Sequence, residues 1–542
     1  MGLLDISVVA IYLVAIVGLG CWAGVRGSAE SDDADQAKDY FLAGRTLKWP
    51  MIGLALFATN ISTVHLVGLA EAGYKTGLLM GNFELLAVVT LVMLAIFFAP
   101  FYIRSRVATL PDFLEKRYSR PSRDIVAVLS VFSAIFIHIG FSLYTGAIVL
   151  NGIFGVELSK PVCVLAIALL TGVYTIAGGL SAVVITESLQ TLILLAGAIV
   201  ITLVGWFRVG GWHGITTNVP EMHLTLLRNA GDPGGLPWYS LIFGYPVIGI
   251  WYWCTDQTIV QRVLGARDEN HARAGALFAG FIKILPLFIF VLPGTICYAL
   301  VKQGTLDGNT LHGSADTYAF LIRELLPPGL KGLMAASLLA AVMSTVSGAL
   351  NSIGTLISYD LLKRWRPDVT DRTLVSVGRW SSFLAMVLAI GWSLSLKPDG
   401  IFQAVNEMIT YLAPPMTCVF LFGIFWRRAS AIAATSTLLV GAACGLALLS
   451  LNLLQPPAWA SFVERNHLDF LLQGILLFLI CSTTMVLVSL RWPQQHTAQS
   501  AALVWSSPWE PLSSPGWPGL ANYKFVSALL ILVLVTIYYV LR

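Results

Sequence analysis

Two polar stretches interrupt apolar runs of this chain and hold side chains that could bind a solute or an ion. The first is FATNISTVHLVG, residues 57–68, and the second is WYWCTDQTIVQR, residues 251–262. Polar groups at membrane depth are costly, so they usually mark functional sites. A pair of interrupted apolar segments, one in each half of a chain, is typical of a transporter binding site.

A third stretch offers oxygen donors for a cation. In AAVMSTVSGALNS, residues 340–352, Ala341, Ser344 and Thr345 lie on one helical face at i, i+3 and i+4. A helix break in the first polar stretch would free backbone carbonyls, and hard cations such as Na⁺ prefer oxygen ligands. Close packing of helices through small residues explains the same pattern, and the spacing leaves both interpretations open.

Two ionisable residues lie inside apolar segments: Glu84 in GNFE and Lys283 in GFIKILP. A buried carboxylate and a buried ammonium each need a partner or a polar substrate, and a neutral polyol would suit both. Snorkelling to the membrane interface is the alternative. The aromatic run of Trp251, Tyr252 and Trp253 could stack on a sugar ring, or could equally be packing or an interfacial belt.

Three further polar residues fall in apolar segments. His138 and Ser142 lie one turn apart in the predicted fourth span, and Glu187 lies near the start of the predicted sixth. A carboxylate at Glu187 could contribute to a second cation site, or could cap the N-terminus of a helix.

These residues must be positioned by membrane-spanning helices. Hydrophobic residues make up 57% of the 542 residues and charged residues only 11%, whereas soluble chains have about 25% charged residues. Segments of about 20 apolar residues predict about fourteen crossings. They include a retained first span over residues 5–24, two separate spans over 160–178 and 181–206, and a long stretch over 318–360 that includes an extracellular helix before the span proper. No basic stripe indicates nucleic acid, and the seven cysteines show neither metal-ligand spacing nor a disulfide pattern.

The placement of lysine and arginine predicts a multi-pass protein of the cell membrane with both termini outside. The basic clusters that we assign to the inside include Arg262, Arg267 and Arg273. The predicted divisions are a first span with its loop (1–46), spans two to six (47–206), spans seven to eleven (207–430), spans twelve and thirteen (431–491), a cytoplasmic linker (492–522) and a last span (523–542). The linker, rich in Ser, Pro and Trp, is interpreted as a tether.

Several motifs resemble those of the sodium/glucose cotransporter branch of the sodium:solute symporter family, which also includes myo-inositol transporters. They are FATNISTVHLVGLAEAG, GNFE, YTIAGGLSAVVITESLQT, WYWCTDQTIVQR, GFIKILPLFIFVLPG, LMAASLLAAVMSTVSGALNS and TYLAPP. The resemblance extends over roughly residues 5 to 450 and implies an all-α, polytopic LeuT-type fold. In that fold, spans two to six and seven to eleven form a five-plus-five inverted repeat around a central site.

The resemblance also implies site residues. Backbone carbonyls of Ala58, Ile61 and Ala341 and the hydroxyls of Ser344 and Thr345 would bind Na⁺, with Glu187 and Ser347 at a candidate second Na⁺ site. Substrate would contact Asn60, His65, Glu84, Tyr252, Trp253, Lys283 and Asn406, and Tyr252 or its neighbour would be the inner gate.

The chain departs from the family pattern at four positions. Asn406, followed by Glu407, stands where sugar carriers have Gln, and Ser142 and His138 replace an Asp and a Lys. Glu187 replaces an Asp. These departures leave the identity of the sugar or polyol open.

The function that follows is sodium-driven uptake of a hexose or related polyol by alternating access, with Na⁺ as the coupling ion. A non-transporting sugar sensor and a symporter of a different solute are the alternatives. The sequence contains no HExxH or GxSxG motif that would indicate an enzyme.

Overall fold

The computed structural model describes residues 2–30, 36–154, 159–232, 236–311, 313–396, 401–494 and 496–541. Over these residues the fold is helical, and the extended pairing is limited to a single bridge between Leu47 and Ala266. The helices of eight or more residues are Leu3–Glu30, Trp49–Asn60, Thr63–Thr76, Asn82–Met93, Leu110–Arg117, Arg120–Ser133, Phe141–Phe154, Lys160–Val209, Gly211–Asn218, Trp238–Ile250, Gln257–Leu264, Glu269–Ile282, Leu292–Lys302, Thr317–Leu325, Leu330–Leu356, Asp371–Ser395, Ile401–Phe425, Ala431–Leu454, Pro457–Arg465, Phe470–Arg491 and Tyr523–Val540.

Among the described residues, eleven continuous helical segments are long and apolar enough to cross a membrane. The prediction of about fourteen crossings exceeds this number because helices break or merge at three places. Two predicted spans are interrupted, and the predicted spans 160–178 and 181–206 are joined in the 50-residue helix Lys160–Val209. That helix bends at Gly179 (φ 62°, ψ −160°), where a Cβ atom would lie 2.4 Å from the carbonyl oxygen of Tyr40.

Both predicted interruptions are confirmed. The first interrupted span consists of Trp49–Asn60 and Thr63–Thr76, with extended backbone at Ile61 and Ser62 between them. The second consists of Trp238–Ile250, a π-helical turn over Trp251–Thr255, and Gln257–Leu264, and it breaks at Asp256 (φ −82°, ψ 124°). The Asp256 carboxylate accepts the Ile259 N–H at 3.2 Å, so the residue that breaks the span also caps the helix that follows.

The helix Leu330–Leu356 lies at the centre of the protein, and almost every one of its side chains is buried. It packs along Lys160–Val209 over much of its length. As predicted for the long stretch 318–360, a separate short helix, Thr317–Leu325, precedes it. The predicted oxygen donors of residues 341–345 are therefore in the interior rather than at a lipid-facing surface.

The same neighbouring segment, residues 269–302, packs against both halves of the first interrupted span. The N-terminal half of that span meets Glu269–Ile282 at Gly53 and Gly275, where a Cβ on Gly53 would lie 2.9 Å from the Gly275 carbonyl oxygen. Its C-terminal half meets Leu292–Lys302 at Gly73 and Gly294, where added Cβ atoms would lie 2.1 and 2.0 Å from backbone carbonyl oxygens. Glycine permits this backbone-to-backbone contact, as is common between membrane helices.

The segment 492–522, interpreted from sequence as a tether, is instead packed onto the helices in its described part. The Trp505 side chain is buried, its ring lies 4.2 Å from that of Phe101 between centroids, and its indole N–H donates to the Phe97 carbonyl at 3.2 Å. Its backbone N–H donates to the Ile424 carbonyl at 2.9 Å. Composition missed this docking because Ser and Pro are frequent both in linkers and in ordered loops.

Candidate functional site

A central cavity of about 90 Å³ lies at the level of both helix breaks. A single water needs roughly 10–15 Å³ on a comparable measure, so the cavity has room for a ligand larger than one ion. The structure brings together all the side chains predicted to contact substrate, and each of them lines this cavity: Asn60, His65, Glu84, Tyr252, Trp253, Lys283 and Asn406.

A chain of polar contacts crosses the cavity wall. The Asn60 amide donates to the Tyr252 hydroxyl at 3.0 Å, and its carbonyl oxygen accepts from the Lys283 ammonium at 2.5 Å. Lys283 is also ion-paired with Glu84, and its ammonium lies 5.3 Å from the centroid of the Trp253 ring. Four separate helical elements therefore supply one connected set of donors and acceptors.

Glu84 and Lys283 are 2% and 1% exposed, so neither side chain snorkels to an interface. Sequence left their partner open, and the structure shows that each is the partner of the other. Pairing offsets the cost of burying either charge alone. A polyol hydroxyl at this pair could accept from the ammonium and donate to the carboxylate, which is a recognition mode that a purely apolar ligand could not use.

His65 and Asn406 lie on other walls of the cavity. The His65 Nδ1 accepts from the backbone N–H of Ser62 at 3.3 Å, which fixes the ring at the start of the helix Thr63–Thr76. Its Nε2 lies 3.9 Å from a Glu84 carboxylate oxygen. The Asn406 amide donates to the Phe402 carbonyl of its own helix at 2.8 Å, which holds the side chain close to the helix axis.

Trp251 is not part of the cavity wall. It is fully buried, and its indole N–H points to the Met416 sulfur at 3.2 Å. For this member of the aromatic run the packing interpretation is therefore the one that the structure supports. Tyr252 and Trp253 do line the cavity, and the run lies in a π-helical turn, a conformation that is frequent at functional sites.

Four of the five predicted sodium ligands, Ala58, Ala341, Ser344 and Thr345, form a buried oxygen cluster beside the cavity. The Ser344 hydroxyl lies 2.8 Å from the Ala58 carbonyl and 3.1 Å from the Ala341 carbonyl. The Thr345 hydroxyl lies 3.1 Å from the carbonyl of Thr59 and 3.2 Å from that of Ala341. Ile61 lies at the break itself, three residues after Ala58.

This cluster consists of oxygen donors that carry no formal charge, which is a ligand set that suits a hard monovalent cation. Helix Trp49–Asn60 ends here, so its last carbonyls lack intrahelical partners and are available to a cation. Thr345 also lines the central cavity, which places the oxygen cluster and the polar chain side by side. The carbonyl of Thr59 was missed from sequence, because a backbone atom leaves no trace in residue type.

Glu187 is held in a buried ion pair rather than at a helix terminus. Its carboxylate accepts from Arg262 at 2.6 and 3.2 Å and from the Thr59 hydroxyl at 3.0 Å. The cap interpretation is wrong, because Glu187 lies eight residues beyond the bend at Gly179, inside the helix. Assigning Arg262 to an inside loop is also wrong, because its side chain is fully buried.

This pairing bears on the candidate second sodium site. A cation at Glu187 would have to displace Arg262, whose guanidinium contacts both carboxylate oxygens. The Ser347 hydroxyl donates to the Ser344 carbonyl of its own helix at 2.9 Å. The arrangement favours a structural ion pair beside the first sodium site, and sodium binding at Glu187 and Ser347 stays a prediction.

Sequence reasoning missed several residues of the site. The Asp256 carboxylate lies 3.4 Å from the His138 Nε2, so the break of the second interrupted span contacts the predicted fourth span. The sequence did contain an indication of Asp256, because it is the charged residue in the motif WYWCTDQ. Phe83 and Phe402 also line the cavity with ring centroids 5.5 Å apart, and no sequence pattern separates them from other buried phenylalanines.

Residues 40–441 match the profile of the sodium:solute symporter family. The chain belongs to this family. Its curated relatives include the sodium/myo-inositol cotransporter 2 of Sus scrofa, which is 35% identical over 485 residues, or 83% of this chain and 70% of the relative. A sodium/mannose cotransporter of Bos taurus is 34% identical over 92% of this chain and 89% of its own length. The sodium/glucose cotransporter 1 of Oryctolagus cuniculus is 31% identical over 90% of this chain and 78% of its own length.

Solved structures show the same fold. A Na⁺-coupled sialic acid symporter in a substrate-bound, outward-open state superposes with a TM-score of 0.77 at 21% identity, over 91% of this chain and 100% of that chain. MhsT in complex with L-phenylalanine superposes with a TM-score of 0.50 at 12% identity, over 81% of this chain and 99% of that chain. This family member therefore has the expected LeuT-type fold and is a multi-pass membrane protein.

Proposed function

We propose that this symporter couples inward Na⁺ flow to uptake of a hexose or related polyol. The observation that best supports the proposal is that the central cavity and the oxygen cluster lie next to each other. The buried chain of Tyr252, Asn60, Lys283 and Glu84 supplies donors and acceptors for hydroxyl groups, and Thr345 joins its cavity to the oxygen cluster. The sodium-coupled inositol, mannose and glucose carriers among its relatives support the same substrate class.

Na⁺ acts on the substrate site through the first interrupted span. The carbonyls of Ala58 and Thr59 belong to the oxygen cluster, and the next residue, Asn60, contacts both Tyr252 and Lys283. A cation that fixes the end of this helix therefore also fixes an amide in the cavity wall. The resulting coupling is reciprocal, so Na⁺ raises substrate affinity by the factor by which substrate raises Na⁺ affinity.

Transport needs no covalent step, and we infer that the chain is not an enzyme. Binding energy and the membrane field supply the driving force: one charge crossing 100 mV contributes about 2.3 kcal/mol. The positive-inside bias supports termini on the outside.

The test is uptake into proteoliposomes that contain the purified chain. Tritiated glucose, galactose, mannose and myo-inositol are offered under an inward Na⁺ gradient and under a matched K⁺ gradient. We expect accumulation of at least one of them only with Na⁺. Na⁺-dependent binding without accumulation would instead indicate a sensor, and the absence of both binding and uptake for the panel would refute the polyol assignment.

A further inference from the structure

A second cavity, of about 970 Å³, lies on the predicted cytoplasmic side and shares no lining residue with the central cavity. Its walls come from three short segments, residues 38–45, 102–108 and 264–269, and from Tyr359. We call it the basic cleft. Five cationic side chains line it against two acidic ones, namely Lys38, Arg45, Arg104, Arg106 and Arg267 against Asp268 and Glu269.

The two acidic side chains are already engaged. Glu269 pairs with Arg104 at 2.8 Å and with Arg273 at 2.7 Å. Asp268 accepts the backbone N–H of His271 at 2.9 Å and so caps the next helix. Neither carboxylate pairs with Arg45, Arg106 or Arg267, so the acidic side chains that line the cleft do not neutralise these three guanidinium groups.

Arg45 and Arg106 are held beside each other at a conformational cost. Both adopt the left-handed backbone region, with φ of 57° and 48°, which is unfavourable for residues with a side chain. The Arg45 guanidinium donates to the carbonyls of Arg106 and Val107 at 2.9 and 3.0 Å, and these partners are uncharged. Burial and the neighbouring charge of Arg106 lower the pKa of the Arg45 guanidinium. Strain and like charges gathered at one place are typical of a ligand site.

We propose that the basic cleft binds a phosphate-bearing anion. Guanidinium groups match phosphate oxygens in charge and in planar geometry, and basic pockets between helices on the cytoplasmic side bind lipid headgroups. The headgroup of an anionic phospholipid and a soluble phosphate ester share this chemistry. Either would neutralise Arg45, Arg106 and Arg267 together.

The cleft lies where both interrupted spans meet the loops. Leu47 exchanges backbone hydrogen bonds of 3.0 Å with Gly265 and Arg267, so the chain entering Trp49–Asn60 is attached to the chain leaving Gln257–Leu264. An anion that draws residues 45, 106 and 267 together would tighten this junction. Because Trp49–Asn60 ends at the oxygen cluster, anion binding is then linked to Na⁺ binding.

The binding test uses the full-length protein and two probes. The first probe is inorganic phosphate in detergent, with thermal unfolding followed at constant Na⁺ and at an ionic strength matched with chloride. The second is reconstitution in phosphatidylcholine with or without phosphatidylglycerol, followed by mass spectrometry of the lipid retained after purification. The variant is Arg106→Gln/Arg267→Gln, and the matched control is Arg427→Gln/Arg428→Gln, which removes two exposed positive charges that are also predicted to face the cytoplasm.

We expect the parent and the control to bind at least one probe, and the cleft variant to bind it roughly tenfold more weakly, as fits the loss of charged contacts. Retention of phosphatidylglycerol alone identifies a lipid headgroup, and stabilisation by phosphate alone identifies a soluble ester. Equal binding by variant and control, or binding of neither probe by the parent, overturns the proposal. If the double variant fails to fold, Arg267→Gln alone, at an exposed side chain, decides the same question.

A second readout concerns linkage. In proteoliposomes with the favoured anion, the half-saturating Na⁺ concentration of the parent should differ about fivefold from that of the cleft variant, the lower end of typical coupling. Identical half-saturating Na⁺ concentrations would contradict the linkage to Na⁺ binding but not the anion-binding site itself. Because the binding test needs no transport, its failure is distinguishable from a failure of the proposed function.

Discussion

At the scale of single residues, the two hydroxyls of the oxygen cluster give the most direct test of the sodium site. Ser344→Ala removes the group that lies 2.8 Å from the Ala58 carbonyl. Loss of one ligand of about 1.5 kcal/mol should raise the half-saturating Na⁺ concentration roughly tenfold. Ser337→Ala, on the same helix but bonded to Ile193 and Leu333, is the control. A Ser344→Ala protein with the parent's Na⁺ dependence would place the sodium site elsewhere.

Glu84 and Lys283 test the substrate site. Glu84→Gln should weaken sugar binding at saturating Na⁺ by roughly 1.5–3 kcal/mol, because it removes a charged hydrogen-bond partner and loosens Lys283. Isothermal titration with the preferred sugar measures the loss. Glu71→Gln breaks the more exposed pair with Lys75 and should change binding little. Equal affinities for both variants would mean that the sugar does not contact this pair.

Asn406 tests selectivity. Its amide is tied to its own helix at Phe402, so its side chain extends less far into the cavity than the longer glutamine of sugar carriers. We expect Asn406→Gln to change the ranking among glucose, galactose, mannose and myo-inositol while Na⁺ dependence stays, because sites built for hydroxyl recognition discriminate strongly. Parallel uptake panels of parent and variant measure it. An unchanged ranking would assign selectivity to other cavity residues.

At the scale of helices, sequence anticipated the parts that depend on residue type. Both interruptions were predictable because polar residues stand inside apolar runs at Asn60 and Asp256. The partner of each buried charge was not predictable, because nothing in the sequence indicates that Glu187 pairs with Arg262, 75 positions away. Such pairings arise from the packing of helices that are distant in sequence, and a single chain carries no record of them.

The glycine contacts between helices give a prediction at this scale. Gly73→Ala would place a Cβ 2.1 Å from the Val291 carbonyl oxygen, and both helices would have to separate. Overpacking of this kind costs roughly 1–3 kcal/mol, so the melting temperature and sugar uptake should both fall. In Gly391→Ala, where no atom lies within 4 Å of the added carbon, the melting temperature should stay or rise. Similar melting temperatures for the two variants would contradict the packing argument.

At the scale of the whole molecule, the segment 496–522 belongs to the folded body. Trp505→Ala removes a buried ring and its hydrogen bond to Phe97, so the segment should detach locally. Limited proteolysis should then cleave the variant in this segment at least tenfold faster than the parent, because cleavage follows the population of the opened form. Trp509→Ala, at a residue that is 76% exposed, is the control. Equal cleavage of both variants would mean that Trp505 does not anchor the segment.

The neighbour of the first interrupted span has a mechanical consequence. Residues 269–302 run past both halves of that span, with backbone contacts at Gly53–Gly275 on one side of the break and Gly73–Gly294 on the other. The helix of this neighbour is interrupted by a turn at Lys283 and Ile284, between the two glycine contacts. The two halves of the first interrupted span therefore cannot tilt about Ile61 independently of residues 269–302. A tilt of either half would also move the part of residues 269–302 that packs against it. Lys283, which contacts Asn60 and Glu84, lies at the turn between these two parts.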